Sequence, residues 1–440
     1  MRKLVGHLAN FCILATCMVS CFGTFVSGDD WPRFRGPFGS GVASDSDSLP
    51  SEWSAEKNLA WKSPLPGPGA SSPIVTGNKV LVTCYSGYGL DRKQPGSIEN
   101  LKRHLICFDL SSGKQLWQKG IKAFLPEDPY DKSGVSSHGY ASHTPVSDGQ
   151  NVYCFFGKSG VHAFDLNGKK LWEADAGRGS DPPKWGSSSS PIIHNSTLII
   201  TASAESQSII GFDKKTGKQI WKHTSKGLDG MWGTPAMVRV SPQRFDVVML
   251  VPKYLWGFDP ESGKIRWKIK ATDSMQAYSS VMSNDKRVFA FSGQGGGGVA
   301  VDLEQENDSP NRTSWKSKVY STYSTPVLHR YKIYVVSRGI MTVVDAKNGE
   351  RLKQLRLKGW KQFGNKRFGS LDYASPVVVG DRLFWLNANG QTFVFDIRGE
   401  VRQLGINDLS GDAEVFWGSP AVAKGRMLIR SSRFLYCIAE

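Results

Sequence analysis

Short apolar runs separated by turn residues are the dominant pattern along this chain. Between residues 190 and 221 the runs fall at 190–193, 198–201, 208–212 and 218–221, and glycine, asparagine, aspartate and lysine lie between them. No apolar repeat of helical period extends over a useful length. Runs of this length with frequent turns predict four short β-strands in each unit of this size.

A first phrase recurs, in which a small hydroxyl residue and a proline lead into an apolar run. An eighth copy, Ser280-Val281, keeps the serine and loses the proline. From Pro145 onward the spacings are 46, 44, 46, 45, 50 and 44 residues, whereas insertions at 86–103 and 121–139 extend the first spacing to 72. The seven copies with proline are Ser72-Pro73, Thr144-Pro145, Ser190-Pro191, Thr234-Pro235, Thr325-Pro326, Ser375-Pro376 and Ser419-Pro420.

A second phrase follows each first one and ends in several units with tryptophan. In the clearest copy, Asp213 is followed by Gly217-Lys218 and then by Trp221. Aspartate accepts hydrogen bonds from turn amides, glycine takes the positive-φ position, and tryptophan removes a large apolar area from water. We expect the tryptophans of this phrase, and one from a spare strand near the start, to pack between adjacent sheets: Trp61, Trp117, Trp172, Trp221 and Trp267.

The repeat period predicts an all-β fold, an eight-bladed β-propeller of four-stranded antiparallel blades. The last unit stops at Glu440, one strand short, whereas residues 58–62 resemble a spare fourth strand with its tryptophan. We therefore expect the N- and C-terminal strands to pair and close the ring. The predicted propeller spans residues 58–440, and residues 29–57 are predicted to form an extended strap over it.

The phrase from Asp213 to Trp221 resembles the tryptophan-docking motif of PQQ-dependent alcohol dehydrogenases. The same repeats occur in the non-catalytic, BamB-like branch of that superfamily, and the resemblance covers residues 58–440. Residues 31–37 resemble the lead-in of many secreted bacterial members, and none of them has an evident chemical role. The resemblance implies the eight-bladed fold, but it does not imply the cofactor.

The features expected of a quinoprotein enzyme are not recognisable in the sequence. Many such enzymes have two adjacent cysteines, which this chain lacks, and a calcium ion held by Glu and Asn beside a catalytic Asp, for which no matching local motif is found. No HExxH, GxSxG or Walker motif is present. We expect a scaffold without catalysis or cofactor that binds another envelope protein or a ligand. The alternative is a dehydrogenase using PQQ with calcium, or a small-ligand-binding propeller.

The first 28 residues have the pattern of a signal peptide. Arg2 and Lys3 precede a largely apolar stretch, and small residues come before Asp29. We expect export to the periplasm or cell envelope; a lipid anchor at Cys21 and an uncleaved membrane anchor are the alternatives. No later apolar stretch is long enough to predict a transmembrane segment.

The net charge bears on the kind of partner, and the cysteine positions bear on the state of the thiols. The formal charge is +16, and it becomes +14 without residues 1–28, which contain two basic and no acidic residues. An acidic partner and a plain solvated surface both fit this excess, but no long Lys/Arg run predicts nucleic-acid binding. We expect a monomer in which four cysteines of apolar runs are free buried thiols: Cys84, Cys107, Cys154 and Cys437.

One repeated position supplies the candidate binding residues. Three residues before the proline of the first phrase, or its equivalent, five successive units have an aromatic residue: Trp232, Tyr278, Tyr323, Tyr373 and Trp417. Because first strands line the channel of a propeller, we expect these side chains to ring one mouth, where they bind a ligand or peptide or merely pack between blades. His138 and His143 are further candidates for metal or acid–base chemistry, or ordinary surface or channel histidines.

Overall fold

The computed structural model describes residues 30–44, 48–91, 93–130, 138–293, 295–303, 312–364, 371–411 and 414–440. The predicted signal peptide and Cys21 lie outside these ranges. Within them, no helix combines the length and apolarity needed to cross a bilayer.

Eight antiparallel sheets of four strands each form a closed ring, which confirms the predicted propeller. In each blade the strands lie side by side in chain order from the axis outward, and the last blade takes its outermost strand from the N-terminal side. The strands of blades 1 to 4 are β2 (Ile74–Thr76), β3 (Lys79–Ser86), β4 (Lys102–Asp109) and β5 (Gln115–Lys122); β6 (Val146–Ser147), β7 (Asn151–Phe155), β8 (Val161–Asp165) and β9 (Lys170–Ala174); β10 (Ile192–His194), β11 (Thr197–Ala202), β12 (Ser208–Asp213) and β13 (Gln219–Thr224); and β14 (Ala236–Ser241), β15 (Arg244–Val251), β16 (Tyr254–Phe258) and β17 (Ile265–Lys270).

The second half of the ring repeats this arrangement. The strands of blades 5 to 8 are β18 (Met282–Ser283), β19 (Arg287–Phe291), β20 (Gly298–Asp302) and β21 (Thr313–Ser317); β22 (Val327–His329), β23 (Lys332–Ser337), β24 (Ile340–Asp345) and β25 (Arg351–Arg356); β26 (Val377–Val379), β27 (Arg382–Leu386), β28 (Gln391–Asp396) and β29 (Arg402–Asp408); and β30 (Ala421–Ala423), β31 (Arg426–Arg430), β32 (Phe434–Ile438) and β1 (Leu59–Pro64). Short helical turns in the described residues are Pro37–Gly39, Ile98–Asn100, Gly157–Ser159, Ser203–Ser206 and Lys226–Leu228.

The ring closes where the sequence predicts. Strand β1 pairs antiparallel with β32, with Trp61 opposite Cys437 and Leu59 opposite Ile438. Pairing of the chain's two ends satisfies the hydrogen bonds that the outer edge of β32 would otherwise leave open.

The hydrophobic core lies between the blades. One cluster joins Leu81 and Cys107 of blade 1 to Val152 and Phe164 of blade 2, and similar clusters continue around the ring. The two middle strands of each blade are buried over most of their length, whereas the outermost strands alternate: in β17, Trp267 and Ile269 are buried and the residues beside them are more exposed. Each blade therefore depends on its neighbours to cover its apolar faces.

Tryptophans of the second phrase pack against the turn of the following blade. Trp172 illustrates the contact: a Cβ at Gly217, whose φ is +74°, would lie 2.6 Å from the indole, and the indole Nε1 donates to the Lys214 carbonyl at 3.0 Å. Glycine is therefore required there both by backbone conformation and by space. The same arrangement joins Trp61 to Gly113, Trp117 to Gly168, Trp221 to Gly263 and Trp315 to Gly349.

Trp267 departs from this arrangement. Its Nε1 donates to Asp246 Oδ2 of its own blade at 2.8 Å, and the Arg312 guanidinium lies over its ring at 4.8 Å. In the sequence of the next blade an insertion follows Asp302, and Arg312 comes after it. Trp267 is nevertheless 2% exposed, so it fills the space between two blades.

A circle of hydroxyl residues links the blades near the axis. We call it the hydroxyl belt, and its members are Ser72, Thr144, Ser190, Thr234, Ser280, Thr325, Ser375 and Ser419. The backbone amides of the first seven members each donate to the side-chain oxygen of the next, in seven bonds of 2.8–3.0 Å that run from Ser72 to Ser419. The first phrase of the sequence therefore encodes contacts between blades.

Residues 31–43 of the predicted strap cross one end of the channel, and we call them the N-terminal plug. Trp31 pairs with Val75 of blade 1, and Ala43 donates to the Val378 carbonyl of blade 7. Between them, the buried Arg35 donates to the Thr325 and Pro326 carbonyls of blade 6 at 2.9 and 2.8 Å. The lead-in to which the sequence assigns no role therefore joins blades 1, 6 and 7 across the end of the channel.

Candidate functional site

A cavity of about 460 Å³ lies on the propeller axis, on the side of the hydroxyl belt away from the plug's contacts with Val75 and Val378. All eight belt residues line it, and Phe34 of the plug reaches it. Cavities of this size bind small ligands or short segments of partners. The plug therefore turns one end of the channel into a pocket that opens at the other.

The five predicted aromatic residues lie together in the wall of this cavity. Successive ring centroids are 5.0 Å apart for Trp232 and Tyr278, 5.1 Å for Tyr278 and Tyr323, 5.0 Å for Tyr323 and Tyr373, and 6.0 Å for Tyr373 and Trp417. In the other three blades the same position holds the small residues Ala70, Ser142 and Ser188. One side of the mouth is thus an aromatic half-ring and the other side is lined by small side chains.

The half-ring combines packing with accessibility. Each of its rings contacts a neighbour and yet keeps part of its surface exposed. Trp232 is also held by a bond from its Nε1 to the Gly186 carbonyl at 2.8 Å. Rings held in this way offer a preorganised stacking surface. Their role in ligand binding stays a prediction.

Trp185 extends the half-ring, and no repeated phrase of the sequence points to it. Its ring centroid lies 5.5 Å from that of Trp232. It sits in the connection between β9 and β10, outside the repeated phrases, so periodicity gives no signal for it. The lone tryptophan in a polar connecting segment is the available clue.

His143 is buried behind this wall, whereas the half-buried His138 is part of the cavity lining. His138 Nδ1 lies 2.5 Å from Ser142 Oγ, and its Nε2 lies 2.5 Å from the Trp185 carbonyl oxygen. Burial lowers the pKa of His138, and it lowers the pKa of His143 to about 3. Both imidazoles are therefore neutral at physiological pH. In the described ranges, no group of three or more His, Cys, Asp or Glu side chains is arranged to bind a metal.

A buried acid lies beside His143. Ser187 Oγ is 3.0 Å from His143 Nε2 and 2.5 Å from Glu205 Oε1. Burial raises the pKa of Glu205 to about 7, although the bond from Ser187 favours its charged form. Ser187 is two residues from Trp185, so the same segment contributes to this buried cluster and to the cavity wall.

The cavity has no acidic lining among the described residues. Its charged lining residue is the exposed Arg338, on the hairpin between β23 and β24. Calcium prefers carboxylate oxygens, whereas the described lining offers hydroxyls, the His138 imidazole and the Gln276 amide. The described residues therefore do not fit a calcium-bound PQQ.

A family model described as outer membrane protein assembly factor BamB matches residues 102–355, more than half of the chain. The chain belongs to this family. A search of curated protein sequences gives no match.

Solved structures agree on the fold of this BamB-like propeller. BamB from Moraxella catarrhalis has 14% identity and a TM-score of 0.56, over 89% of this chain and 97% of that one. A europium-containing methanol dehydrogenase has 13% identity and a TM-score of 0.57, over 91% and 89%. The quinohemoprotein alcohol dehydrogenase from Comamonas testosteroni has 10% identity and a TM-score of 0.62, over 93% and 80%. The fold is thus shared by an assembly factor and by enzymes, and the site must be judged on its own residues.

Proposed function

We propose that this BamB-like propeller is an exported, non-catalytic scaffold that binds another component of the cell envelope in its axial cavity. The aromatic half-ring is the observation that carries the proposal, because five successive blades place partly exposed rings on one wall of a pocket closed at its far end. Flat amphipathic side chains in a concave site bind ligands or peptide segments with little loss of conformational entropy. The signal-like N-terminus supports export.

The test compares the Trp232→Ala/Trp417→Ala double variant with the Tyr254→Ala variant, which removes an exposed aromatic on β16 outside the cavity. Each immobilised protein is incubated with envelope extract, and bound components are identified by mass spectrometry. We expect the double variant to lose a component that wild type and Tyr254→Ala both retain, while its melting temperature stays within a few degrees of wild type. Unchanged binding, or a large drop in melting temperature, would show that the rings serve packing instead.

The quinoprotein alternative has its own test. Purified protein is titrated with PQQ and calcium while the absorbance spectrum is recorded. We expect no stoichiometric bound chromophore and no dye reduction with alcohols, because the described cavity residues supply no carboxylate for the cation. A bound chromophore with dye reduction would replace the scaffold by an enzyme.

A further inference from the structure

The hydroxyl belt presents hydrogen-bond donors to the cavity floor. Seven of its hydroxyl oxygens accept a backbone amide, which leaves the hydroxyl hydrogen of each available. Across the part of the chain that the structure describes, no belt hydroxyl donates to a protein acceptor. The belt residues are nonetheless buried, at 1–7% exposure. A buried ring of donors without acceptors favours a ligand that supplies acceptors.

Two arginines of the plug lie one peptide unit beyond the belt. Arg35 donates to the carbonyl of the belt residue Thr325, and Arg33 Nη2 donates to the Pro235 carbonyl at 3.4 Å. Arg33 Nε is buried without a partner. Among the described residues no carboxylate pairs with either guanidinium. Burial lowers the pKa of Arg35 to about 9 and that of Arg33 to about 10, so both remain charged at neutral pH.

The rim adds charge of the same sign. Arg338 lines the mouth, and the described lining contains no aspartate or glutamate. Positive groups at the rim and beneath the floor of a pocket with low-dielectric walls give it a positive potential. A cationic group would be repelled there, and a neutral one would leave both guanidinium charges uncompensated.

We propose that the cavity floor binds an oxyanion group, a carboxylate, sulfate or phosphate, belonging to the ligand whose body packs on the aromatic half-ring. This inference rests on the proposed function and specifies the ligand's chemistry. Belt hydroxyls donate to the oxyanion oxygens, and Arg33 and Arg35 supply the compensating charge from below. Hydrogen bonds to a charged acceptor are stronger than neutral ones, so the anionic group contributes selectivity that the rings lack.

Matched probes test the inference. 4-Phenylbutyrate and 4-phenylbutyramide share an aromatic body and differ in the charge of the head group, and calorimetry at low ionic strength gives both dissociation constants. We expect wild type to bind the acid about ten-fold more tightly than the amide. Arg33→Met should bring the ratio close to one with amide binding unchanged, whereas Arg351→Met, an exposed arginine of β25, should keep the wild-type ratio. Equal binding of both probes by wild type would overturn the anion inference and leave the aromatic site standing.

Inorganic sulfate supplies a readout that does not need the aromatic rings. At equal ionic strength against chloride, sulfate should raise the melting temperature of wild type more than that of Arg33→Met, since a ligand that binds only the native state stabilises it. The absence of any such difference would overturn the inference.

If Arg33→Met does not fold, Arg338→Met replaces it in both experiments, because Arg338 is an exposed loop residue. A ratio of acid to amide binding equal to that of wild type in this variant would count against the inference. Loss of amide binding in Trp232→Ala/Trp417→Ala reports separately on the proposed function.

Discussion

The backbone amide of Thr234 donates to Ser280 Oγ, 2.9 Å away in the next blade. Ser280 belongs to the copy of the first phrase that has valine in place of proline. The hydroxyl oxygen therefore makes the hydrogen bond between the two blades, and this bond does not require proline at the following position. Equivalent bonds explain why a hydroxyl residue recurs in seven of the eight units.

Removal of the Ser280 hydroxyl should destabilise the propeller. Ser280→Ala leaves the Thr234 amide without its partner, which should lower the free energy of unfolding by about 1–3 kcal/mol. Denaturant unfolding followed by tryptophan fluorescence measures the change. Ser51→Ala, at an exposed serine, is the control and should have little effect; equal effects of the two substitutions would contradict a stabilising role of the belt.

Gly217 should tolerate no side chain. Gly217→Ala combines a left-handed backbone with a Cβ 2.6 Å from the Trp172 indole, and we expect a loss of more than about 2 kcal/mol. Gly380→Ala separates the two causes, because Gly380 has a φ of +54° and nothing within 4 Å of its Cβ position. That variant should lose about 1 kcal/mol. Similar losses in both variants would show that the indole contact matters little.

Trp61 should contribute more to the stability of the fold than Trp117, the equivalent tryptophan of blade 1. Trp61 is 9% exposed, and it joins the closing strand to blade 1 through the bond from its Nε1 to the Leu110 carbonyl at 3.0 Å. Trp61→Ala should cost about 3–5 kcal/mol, and Trp117→Ala, at a half-buried indole, clearly less. Thermal unfolding of both variants measures the order. The reverse order would show that ring closure does not depend on this contact.

Glu205 should make stability depend on pH. Its folded pKa of about 7 lies above the ordinary 4.5, so the native state holds the proton more tightly than the unfolded chain. The resulting contribution is full below pH 4.5 and is lost as the pH rises toward 7. Glu205→Gln stays neutral throughout, so its stability relative to wild type should rise by about 3 kcal/mol across this interval. Urea unfolding of both proteins at several pH values tests this, and a constant difference would refute it.

The four cysteines of the propeller should be unreactive while the protein is folded. They are free and buried, and burial raises the pKa of Cys84 and Cys107 to about 12, of Cys437 to about 11, and of Cys154 further. Because the thiolate is the nucleophile, a thiol reagent at pH 8 should label protein lacking residues 1–28 only after denaturation. Labelling of the folded protein would contradict the burial of these thiols.

The sequence predicted the features that repeat. Blade number, strand order and the closing strand follow from the spacing of the hydroxyl-proline phrase and from the strand missing after Ile438, because the same short pattern recurs from unit to unit. The aromatic position could be found in the same way, since Trp232 and Trp417 occupy equivalent places in their units. Trp185 and Glu205 lie outside the repeat, and periodicity does not reveal them.

The repeated phrases of the chain are enough to specify a closed ring of eight sheets with aromatic residues at one repeated position. Only the folded chain shows that the lead-in plugs the channel, that the hydroxyls form a belt, and that two arginines lie beneath it with no carboxylate paired to them among the described residues. Arg35 contacts Thr325 across 290 residues, and each belt bond joins residues at least 44 apart. Local patterns specify elements, but the closure of the ring determines which distant elements meet at the axis, and the chemistry of the cavity arises there.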